Sequence, residues 1–353
     1  MKALILAGGK GSRLRPITHT SAKQLLPLAN KPILFYAVEA LKQAGIDDIG
    51  IVVGDTKKDV ISTVGDGSIW GIKITYIEQE APLGLAHAVK IARDYVQGDR
   101  FVVYLGDNLI KNGINSIVDD FRKNKPNAQI LLAKVKNTNE FGVAELSGKK
   151  VVGMEEKPKN PKSDYALVGV YLFDSSIFEA VNAIKPSKRG ELEITDAIQY
   201  LIDKKYRVDS SVVDGWWKDT GKLEDILEAN RLLLDNIETK IMGQVDLNSK
   251  VEGKVFIDEG AEIIASCIRG PAVIGKNCRI KDSFIGPYTS VYNEVVIDKS
   301  EVGNSIILWK SKLEDIRRVE DSLIGKEVQI SKTDQKPSAY KIMVGDCSKI
   351  EIP

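Results

Sequence analysis

The stretch LILAGGKGSRL, residues 4–14, begins as an apolar run and breaks into a loop that holds Gly8, Gly9, Gly11 and Arg13. Glycines after a strand let the backbone approach a ligand closely and turn its N–H groups toward an anion. A guanidinium at the end of such a loop can hold phosphate oxygens through several hydrogen bonds. The stretch therefore predicts a strand that ends in a phosphate-binding loop, with a tight turn and a surface arginine as the alternative.

The loop matches neither of two common phosphate-binding motifs. A Walker A loop has Ser or Thr after Gly-Lys, whereas Lys10 is followed by Gly11. The dinucleotide-binding fingerprint needs a third glycine at the position of Leu14. Arg13 is the feature that both of those motifs lack.

The first two thirds of the chain alternate between two hydrophobic patterns. Short β-branched runs are followed by segments of helical period, which is typical of a mostly parallel sheet covered by helices. The predicted strands are residues 2–6, 48–53, 73–78, 100–105 and 128–135. The predicted helices are residues 31–45, 83–96, 193–205 and 222–236, the first with a proline in its first turn and a glycine at its end. We therefore expect an α/β, Rossmann-like domain over residues 1–238.

After about residue 245 the helical period fades and aliphatic residues recur at intervals of six. The repeating positions are Ile274 and Ile280, then Ile285, Val291 and Ile297. A six-residue period with one aliphatic position is typical of a parallel β-helix, in which each hexapeptide forms one face of a triangular coil. We therefore expect a β-helix domain over residues 239–353. An antiparallel sandwich with chance spacing is the alternative, since the period slips near Ser300 and Asp315. The tail from Gln335 onward is expected to be a cap.

Composition excludes several classes of function. Fifty basic and 49 acidic side chains leave a net charge of +1, so a nucleic-acid partner is not expected. Three scattered cysteines form neither a disulfide framework nor a Cys-x-x-Cys metal site. The chain starts directly with a strand-like run, and no apolar segment approaches the roughly 18 residues of a membrane span. These features predict a soluble cytoplasmic protein without a membrane partner.

A series of motifs gives the first half of the chain a specific resemblance. The glycine loop is followed by AKQLLPLANKP, which supplies Lys23. Further motifs follow in order: GDGSIWGI from Gly65, QEAPLGLAHA from Gln79, LGDN from Leu105, FGV from Phe141, EEKP from Glu155, RGELEITD from Arg189 and WWKDTG from Trp216. In this order they resemble the sugar-1-phosphate nucleotidylyltransferases, and in particular their thymidylyltransferase branch. The six-residue repeats resemble its longer form, which carries a left-handed parallel β-helix.

The resemblance implies attack by a sugar 1-phosphate oxygen on the α-phosphorus of a nucleoside triphosphate. Two anions must then be held side by side, which requires several cations and a metal ion. The implied catalytic cations are Arg13, Lys23 and Lys157. The implied nucleotide-binding residues are Leu6, Gly8, Gly9, Gly11, Ser12, Arg13, Gln79, Gly84 and Asp107. The implied sugar-phosphate-binding residues are Gly142, Glu156, Lys157, Val168 and Glu191.

Two aspartates are the implied ligands of Mg²⁺. Asp107 follows the apolar strand FVVYL, which places it at the carboxyl edge of the sheet, where ligands of open α/β sheets bind. Asp219, in WWKDTG, is the second. Carboxylates suit Mg²⁺, a hard cation that also keeps water and phosphate ligands. Phe141 departs from the tyrosine common in this family, so a hydroxyl contact is not expected there. Ser12, often threonine in the family, keeps the hydroxyl.

Several alternatives remain open at the level of sequence. The partners implied are dTTP and glucose 1-phosphate, but UTP shares the same hydrogen-bonding edge and gives a uridylyltransferase. An acyltransferase activity in the β-helix is disfavoured, because such enzymes commonly use a histidine base and this chain has only His19 and His87. A non-catalytic nucleotide-sugar-binding protein with the same fold is the third possibility. We also expect a homo-oligomer, with the β-helix as a candidate interface.

Overall fold

The computed structural model describes residues 1–9, 11–334 and 340–352. The chain forms two compact units. The first comprises Met1–Lys10, Ser21–Leu25 and Ile33–Asp219, and the second comprises Gly11–Thr20, Leu26–Pro32 and Thr220–Pro353. The second unit thus takes two segments from the N-terminal part of the chain. The predicted domain boundary after residue 238 stays a prediction.

The elements of the N-terminal two thirds alternate as the sequence predicts. The strands are β1 (Lys2–Leu6), β2 (Pro27–Leu28), β3 (Lys31–Pro32), β4 (Asp48–Val53), β5 (Lys73–Glu78), β6 (Phe101–Leu105), β7 (Asn108–Ile110), β8 (Ala128–Lys134), β9 (Gly142–Ser147), β10 (Lys150–Glu156), β11 (Tyr165–Phe173), β12 (Val208–Val212) and β13 (Trp217–Asp219). The helices are α1 (Ile33–Gln43), α2 (Lys57–Val64), α3 (Leu85–Ile91), α4 (Arg93–Val96), α5 (Asn115–Asn124), α6 (Ile177–Ala183), α7 (Ile194–Asp203) and α8 (Leu223–Leu234).

The first unit is built on one nine-stranded sheet, in the order β5-β4-β1-β6-β11-β8-β12-β10-β9. Strands β5, β4, β1 and β6 are parallel neighbours, while β11 runs antiparallel to both β6 and β8. Successive residues of β1 alternate between two apolar clusters: Leu4 and Leu6 lie in one, Ala3 and Ile5 in the other. The sheet therefore has a buried core on each face, and ligands can reach it only at its edges and strand ends.

The predicted strands agree closely with the structure. Three have the predicted bounds, the fourth begins one residue later at Phe101, and the fifth ends one residue earlier at Lys134. The helix predicted over residues 83–96 is two helices, α3 and α4, separated at Ala92. Pro32 belongs to β3 rather than to the first turn of α1, which begins at Ile33.

The C-terminal part contains three parallel sheets, which are formed by strands of successive coils. Its strands are β14 (Lys240–Ile241), β15 (Gln244–Val245), β16 (Lys250–Glu252), β17 (Val255–Ile257), β18 (Glu262–Ile264), β19 (Cys267–Arg269), β20 (Ala272–Ile274), β21 (Arg279–Lys281), β22 (Phe284–Ile285), β23 (Thr289–Val291), β24 (Val296–Asp298), β25 (Glu301–Val302), β26 (Ile306–Ile307), β27 (Lys312–Glu314), β28 (Leu323–Ile324) and β29 (Gln329–Ser331). From β14 to β24, each strand pairs in parallel with the third strand after it, as in β17-β20-β23, and at the end of the domain β26 pairs with β28 and β27 with β29. This is the predicted β-helix, and the antiparallel sandwich is excluded. Its left hand stays a prediction.

The coils of the β-helix are shorter than three hexapeptides. Ile257 lies opposite Ile274, and Ile274 opposite Val291, so that each coil takes 17 residues. The next pair in this sheet, Val291 and Ile307, is 16 apart, which accounts for the slip near Ser300. The slip expected near Asp315 is not a break, since Leu313 pairs with Ile330 at the normal interval of 17.

Buried serines join successive coils at one corner. The Oγ of Ser266 accepts the Ser283 N–H at 3.0 Å, and the Oγ of Ser283 accepts the Ser300 N–H at 3.1 Å. Each serine thus satisfies a backbone donor of the next coil where the ladder turns.

The predicted cap falls partly on residues 335–339, which lie outside the described residues. Residues 340–352 are exposed and form neither helix nor strand. Within the described residues, no helix is long and apolar enough to cross a membrane.

Candidate active site

Two carboxylates and one ammonium group meet at the carboxyl end of the first unit's sheet. The Lys23 Nζ lies 2.6 Å from Asp107 Oδ2 and 3.8 Å from Asp219 Oδ1. The Lys23 side chain is only 7% exposed, although lysines are rarely buried without a partner. The structure therefore brings together three of the residues predicted for catalysis and metal binding.

The local fold explains why the two aspartates are neighbours. Strand β6 ends at Leu105, and β7 begins immediately after Asp107. Strand β13 pairs antiparallel with β7, so that Asp219 lies opposite Asn108. Residues 111 positions apart in the chain are thus adjacent because a short two-stranded sheet forms at the end of β6.

Asn108 holds this arrangement together and is a residue that sequence reasoning missed. It is 2% exposed, and its Nδ2 donates to Asp107 Oδ1 at 3.0 Å. Its Oδ1 accepts the Trp217 Nε1–H at 2.6 Å and the Gly169 N–H at 3.3 Å. The motifs LGDN and WWKDTG contain both partners of the shortest of these bonds, but their contact depends on the pairing of β7 with β13.

The charge of Lys23 acts on the Asp107 carboxyl. Burial alone raises the pKa of that carboxyl, but the Lys23 charge and hydrogen bond, together with the Asn108 amide, outweigh burial and lower the pKa. Asp107 is therefore an anion throughout the neutral pH range.

The residues predicted for the nucleotide base converge beside the glycine loop. A Cβ at Gly8 would lie 3.2 Å from the Gln79 Oε1, and the Gln79 Nε2 contacts the Gly84 carbonyl oxygen at 3.3 Å. The same Nε2 lies 3.0 Å from His87 Nδ1. A Cβ at Gly84 would lie 2.4 Å from the Leu192 carbonyl oxygen, so only glycine fits there. Gln79, Gly8 and Gly84 thus form one cluster.

Gln24 contributes an unsatisfied group on the same side. A Cβ at Gly9 would lie 3.7 Å from Gln24 Nε2, and Gln24 is buried. Among the described residues, its Oε1 has no hydrogen-bond partner. A buried acceptor without a partner costs free energy, which a bound ligand or water would recover.

The predicted sugar-phosphate residues form a second cluster, around Glu156. Its Oε2 accepts a hydrogen bond from the Thr195 hydroxyl at 3.2 Å, and its Oε1 accepts one from Arg189 Nη2 at 3.2 Å. The same Oε1 lies 4.0 Å from Lys157 Nζ. A Cβ at Gly142 would lie 2.6 Å from Thr195 Cγ2. Burial and the nearby charge of Glu193 raise the pKa of Glu156 above its ordinary value.

Arg189 and Glu193 are further residues that sequence reasoning missed. Glu193 is 5% exposed, and both of its carboxylate oxygens accept hydrogen bonds from Arg189 Nη2 at 2.8 Å. The Ser187 hydroxyl also donates to Glu193, at 2.7 Å. Glu191, which the resemblance implies, lies at the margin of this network, 3.8 Å from Arg189 Nη2. Arg189 lies in the turn before α7 and Glu193 immediately before its first residue, so helical spacing does not bring them together; the opposite charges within the motif RGELEITD were the available signal.

Val168 and Phe141 border these clusters differently. Val168 lies in β11 where the pairing with β8 shifts register between Leu167 and Tyr171, and its side chain is buried. Its predicted contact with the sugar phosphate stays a prediction. The Phe141 ring packs edge-on against Trp217, with ring centroids 5.3 Å apart.

The remaining predicted residues lie in other segments. Leu6 is the last residue of β1. Gly11, Ser12 and Arg13 belong to Gly11–Thr20 of the second unit. Gly11 has φ of 59°, the left-handed region, and Arg13 is exposed in a short 3₁₀ turn, Ser12–Leu14. Their predicted contacts with phosphate stay predictions.

The aspartate pair fits a divalent cation of the magnesium type. Among the described residues, no group of three or more His, Cys, Asp or Glu side chains is placed to hold a metal ion. Mg²⁺ commonly takes one or two carboxylates and completes its shell with water and phosphate oxygens. Asp107 and Asp219, both within 4 Å of the same ammonium, provide such a pair.

Comparison with known proteins assigns the chain to a family. Residues 2–236 match the nucleotidyl transferase family, and residues 251–334 match the family described as the GMPPB C-terminal domain. The chain therefore belongs to the nucleotidyl transferase family.

Individual relatives of the chain belong to a narrower group within that family. The chain is 52% identical to a glucose-1-phosphate thymidylyltransferase from Streptomyces griseus and 54% identical to one from Streptomyces antibioticus; each match covers 100% of this chain and 99% of the relative. A crystal structure described as a glucose-1-phosphate thymidylyltransferase from Bacillus anthracis in complex with sucrose has a TM-score of 0.63 and 41% identity, over 68% of this chain and 97% of that one. The predicted resemblance is thereby confirmed.

Proposed function

We propose that this protein transfers a thymidylyl group from dTTP to α-D-glucose 1-phosphate and releases pyrophosphate. The observation that carries the proposal is the convergence of Lys23, Asp107 and Asp219 at the end of the sheet. A phosphoryl-type transfer depends mainly on the positioning of two anions and on neutralisation of their charge. The identity to two thymidylyltransferases over their full length supports the choice of substrates.

In the proposed reaction an oxygen of the sugar phosphate attacks the α-phosphorus of dTTP. A new P–O bond forms as the bond from the α-phosphorus to the bridging oxygen breaks, and pyrophosphate leaves with the bonding electrons. Lys23 neutralises phosphate charge from a buried position, and Arg13, four residues beyond Gly9 in the chain, holds the triphosphate with the loop amides. Lys157 binds the sugar phosphate, beside Glu156, which accepts hydrogen bonds from sugar hydroxyls.

Asp107 and Asp219 would hold Mg²⁺, which would neutralise triphosphate charge as it shifts during transfer. The Lys23 ammonium, within 4 Å of both carboxylates, would add a second positive charge beside the phosphates. The anionic state of Asp107, maintained by its lowered pKa, is the state that a divalent cation requires.

Two forms of labelled dTTP test the class of reaction. With ³²P at the α-position and glucose 1-phosphate as acceptor, we expect label in the nucleotide sugar; with ³²P at the γ-position, we expect it in pyrophosphate. Label from the γ-position in the sugar product would indicate kinase chemistry and contradict the proposal. Absence of transfer in both cases would leave a non-catalytic binding protein.

Gln79 should determine affinity for the nucleotide. Gln79→Leu keeps the size of the side chain but removes its donor and acceptor, so we expect the KM for dTTP to rise about 10- to 100-fold with little change in kcat. Steady-state kinetics with varied dTTP measures this. The exposed Gln244→Leu in β15 is the matched control, with no change expected. An unchanged KM in Gln79→Leu would remove this residue from the nucleotide site.

Protonation of Glu156 should lower kcat/KM for glucose 1-phosphate at acid pH, and the pH at which this acid limb of the profile falls should depend on Glu193. Because the pKa of Glu156 is raised, it becomes protonated as the pH falls through values above the ordinary glutamate range, and it then loses acceptor capacity for the sugar. Glu193→Gln removes a charge that raises this pKa, so the acid limb of kcat/KM for glucose 1-phosphate should move to lower pH.

The substrate phosphate ionises in the same way in assays of the wild type and of the variant. A difference between their pH profiles therefore comes from a group of the protein. Glu145→Gln, at a partly exposed acid paired with Lys162, is the control and should leave the limb in place. A limb that stays in place or moves to higher pH in Glu193→Gln would contradict the assignment of Glu156.

We further propose a homo-oligomer in which the β-helix takes part. Parallel β-helices present flat faces suited to symmetric association. Light scattering of the full chain, compared with its monomer mass of 38.9 kDa, tests this.

A further inference from the structure

A two-residue hairpin connects the segment of Lys23 to the β-helix. Strands β2 and β3 pair as Pro27 with Pro32 and Leu28 with Lys31. The two residues at the tip, Ala29 and Asn30, have φ of 45° and 62°, as a tight hairpin turn requires. The hairpin belongs to the second unit, and its first strand begins four residues after Lys23.

The buried side chain of Asn230 binds this tip. Asn230 lies in α8 and is 1% exposed. Its Oδ1 accepts the Ala29 N–H at 2.8 Å and the Ser290 hydroxyl at 2.8 Å, and its Nδ2 donates to the Tyr288 carbonyl oxygen at 3.3 Å. One amide therefore joins three segments of the second unit: the hairpin, α8 and the coil around β23.

Asn30 adds a second bond from the hairpin tip to the same coil. Its Nδ2 donates to the Val291 carbonyl oxygen at 2.7 Å. Ser290, between the two accepting carbonyls of Tyr288 and Val291, is fully buried. The tip is thus fixed on the β-helix by directional bonds at two adjacent residues.

Helix stability does not explain the presence of Asn230. Asparagine is a poorer helix former than the leucines that follow it in NRLLL, and a buried amide is costly unless its donors and acceptors are satisfied. A satisfied amide instead fixes one geometry among segments that apolar packing alone would leave free to slide.

Two of the segments that Asn230 joins, the hairpin and α8, lie close in sequence to predicted active-site residues. The hairpin follows Lys23 within four residues, and α8 begins four residues after Asp219. We propose that Asn230 is a positioning residue, through which the β-helix fixes the backbone that carries Lys23 and Asp219. The β-helix then acts on turnover by orienting catalytic groups, without supplying one itself. This inference rests on the proposed function.

The Asn230→Ala variant tests the inference against a matched control. We expect kcat per folded molecule to fall about 10-fold with little change in the KM for dTTP, because catalysis depends on sub-ångström placement of charge while the Gln79 cluster is untouched. Ser283→Ala removes a buried hydroxyl of the serine corner, which donates to the Lys281 carbonyl oxygen and accepts the Ser300 N–H, both outside the hairpin and α8. It should lower the melting temperature and leave kcat unchanged.

A milder pair of variants avoids the risk of misfolding. Asn30→Gly removes the bond to Val291 while keeping a residue that tolerates positive φ, and we expect about a 3-fold fall in kcat. Asn304→Gly makes the same change at another asparagine of positive φ, in the β-helix and paired with Asp321, and should leave kcat unchanged. Equal kcat in Asn30→Gly, Asn230→Ala and wild type would overturn the inference, as would equal losses in the controls.

Hydrogen exchange provides a readout that does not depend on activity. In Asn230→Ala, peptides covering residues 21–32 should exchange faster, whereas in Ser283→Ala they should not. An inactive wild-type protein would refute the proposed function, and this exchange experiment would then decide the positioning role by itself. Unchanged exchange over residues 21–32 in Asn230→Ala would overturn it.

Discussion

Asp107→Asn should lower kcat by about 10³-fold, which is the scale expected when a charged group that stabilises a transferring phosphate is lost. The amide keeps the shape of the side chain but is an uncharged and much weaker ligand for a divalent cation. It also leaves the buried Lys23 ammonium without the negative charge that lies 2.6 Å away. Measurement of pyrophosphate release at saturating dTTP, glucose 1-phosphate and Mg²⁺ tests this, and a higher Mg²⁺ concentration should not restore turnover.

Stability needs a separate measurement, because removal of one partner of a buried ion pair is itself destabilising. We expect the free energy of unfolding to fall by about 3 kcal/mol, the lower end for a buried pair, since Asp219 lies 3.8 Å from the same ammonium. Asp214→Asn is the control: it is an exposed acid that accepts the Asn112 amide, and its loss should change neither quantity. Wild-type turnover in folded Asp107→Asn would remove Asp107 from the site.

The lowered pKa of Asp107 also has a consequence for stability. The folded pKa lies below the unfolded value of about 3.9, so the stabilisation is complete above that value and is lost as the pH falls through the folded pKa. Asp107→Asn should lack this component of acid unfolding.

Arg13→Ala should lower kcat/KM for dTTP by about 10²- to 10³-fold with little loss of stability. Arg13 is exposed, and substitutions at exposed positions usually change the free energy of unfolding by no more than about 0.5 kcal/mol. A large loss of activity at constant stability is therefore the signature of a ligand contact. Steady-state kinetics and thermal unfolding of the same preparation measure both.

Arg15→Ala is the matched control for Arg13, because it is a second exposed arginine two residues further along the same segment. Its kinetics should resemble those of the wild type. Similar losses in both variants would indicate a nonspecific effect of positive charge, and equal losses of activity and stability in Arg13→Ala would indicate a structural role.

The fold was largely predictable because its signals are local. The alternation of β-branched runs with helical periods predicts the strands around β1, and the recurrence of Ile274 and Ile280 predicts a β-helix. The coil length of 17 was not predicted, because a five-residue side such as Ile280 to Ile285 carries no signature of its own. The serine corner repeats at the same interval and was the missed signal.

The site was predictable only where a motif carried it. Lys23, Asp107 and Asp219 were predicted residue by residue, and the structure brings them together. Asn108 was missed because its role depends on the pairing of β7 with β13, which no single segment reveals. Glu193 was missed although its partner Arg189 lies in the same motif, because the sequence does not show that this carboxylate is buried. Asn230 was missed for the same reason: it looks like an ordinary polar residue of an amphipathic helix.

The most direct test of the proposed activity is pyrophosphate release by the purified full chain with Mg²⁺ and α-D-glucose 1-phosphate, with dTTP, UTP, ATP, CTP and GTP in parallel. We predict turnover that is fastest with dTTP and that requires the sugar phosphate. Preference for UTP would instead make the protein a uridylyltransferase. Failure to release pyrophosphate with all five nucleotides would contradict the assignment of Lys23, Asp107 and Asp219 as the centre of a sugar-1-phosphate thymidylyltransferase.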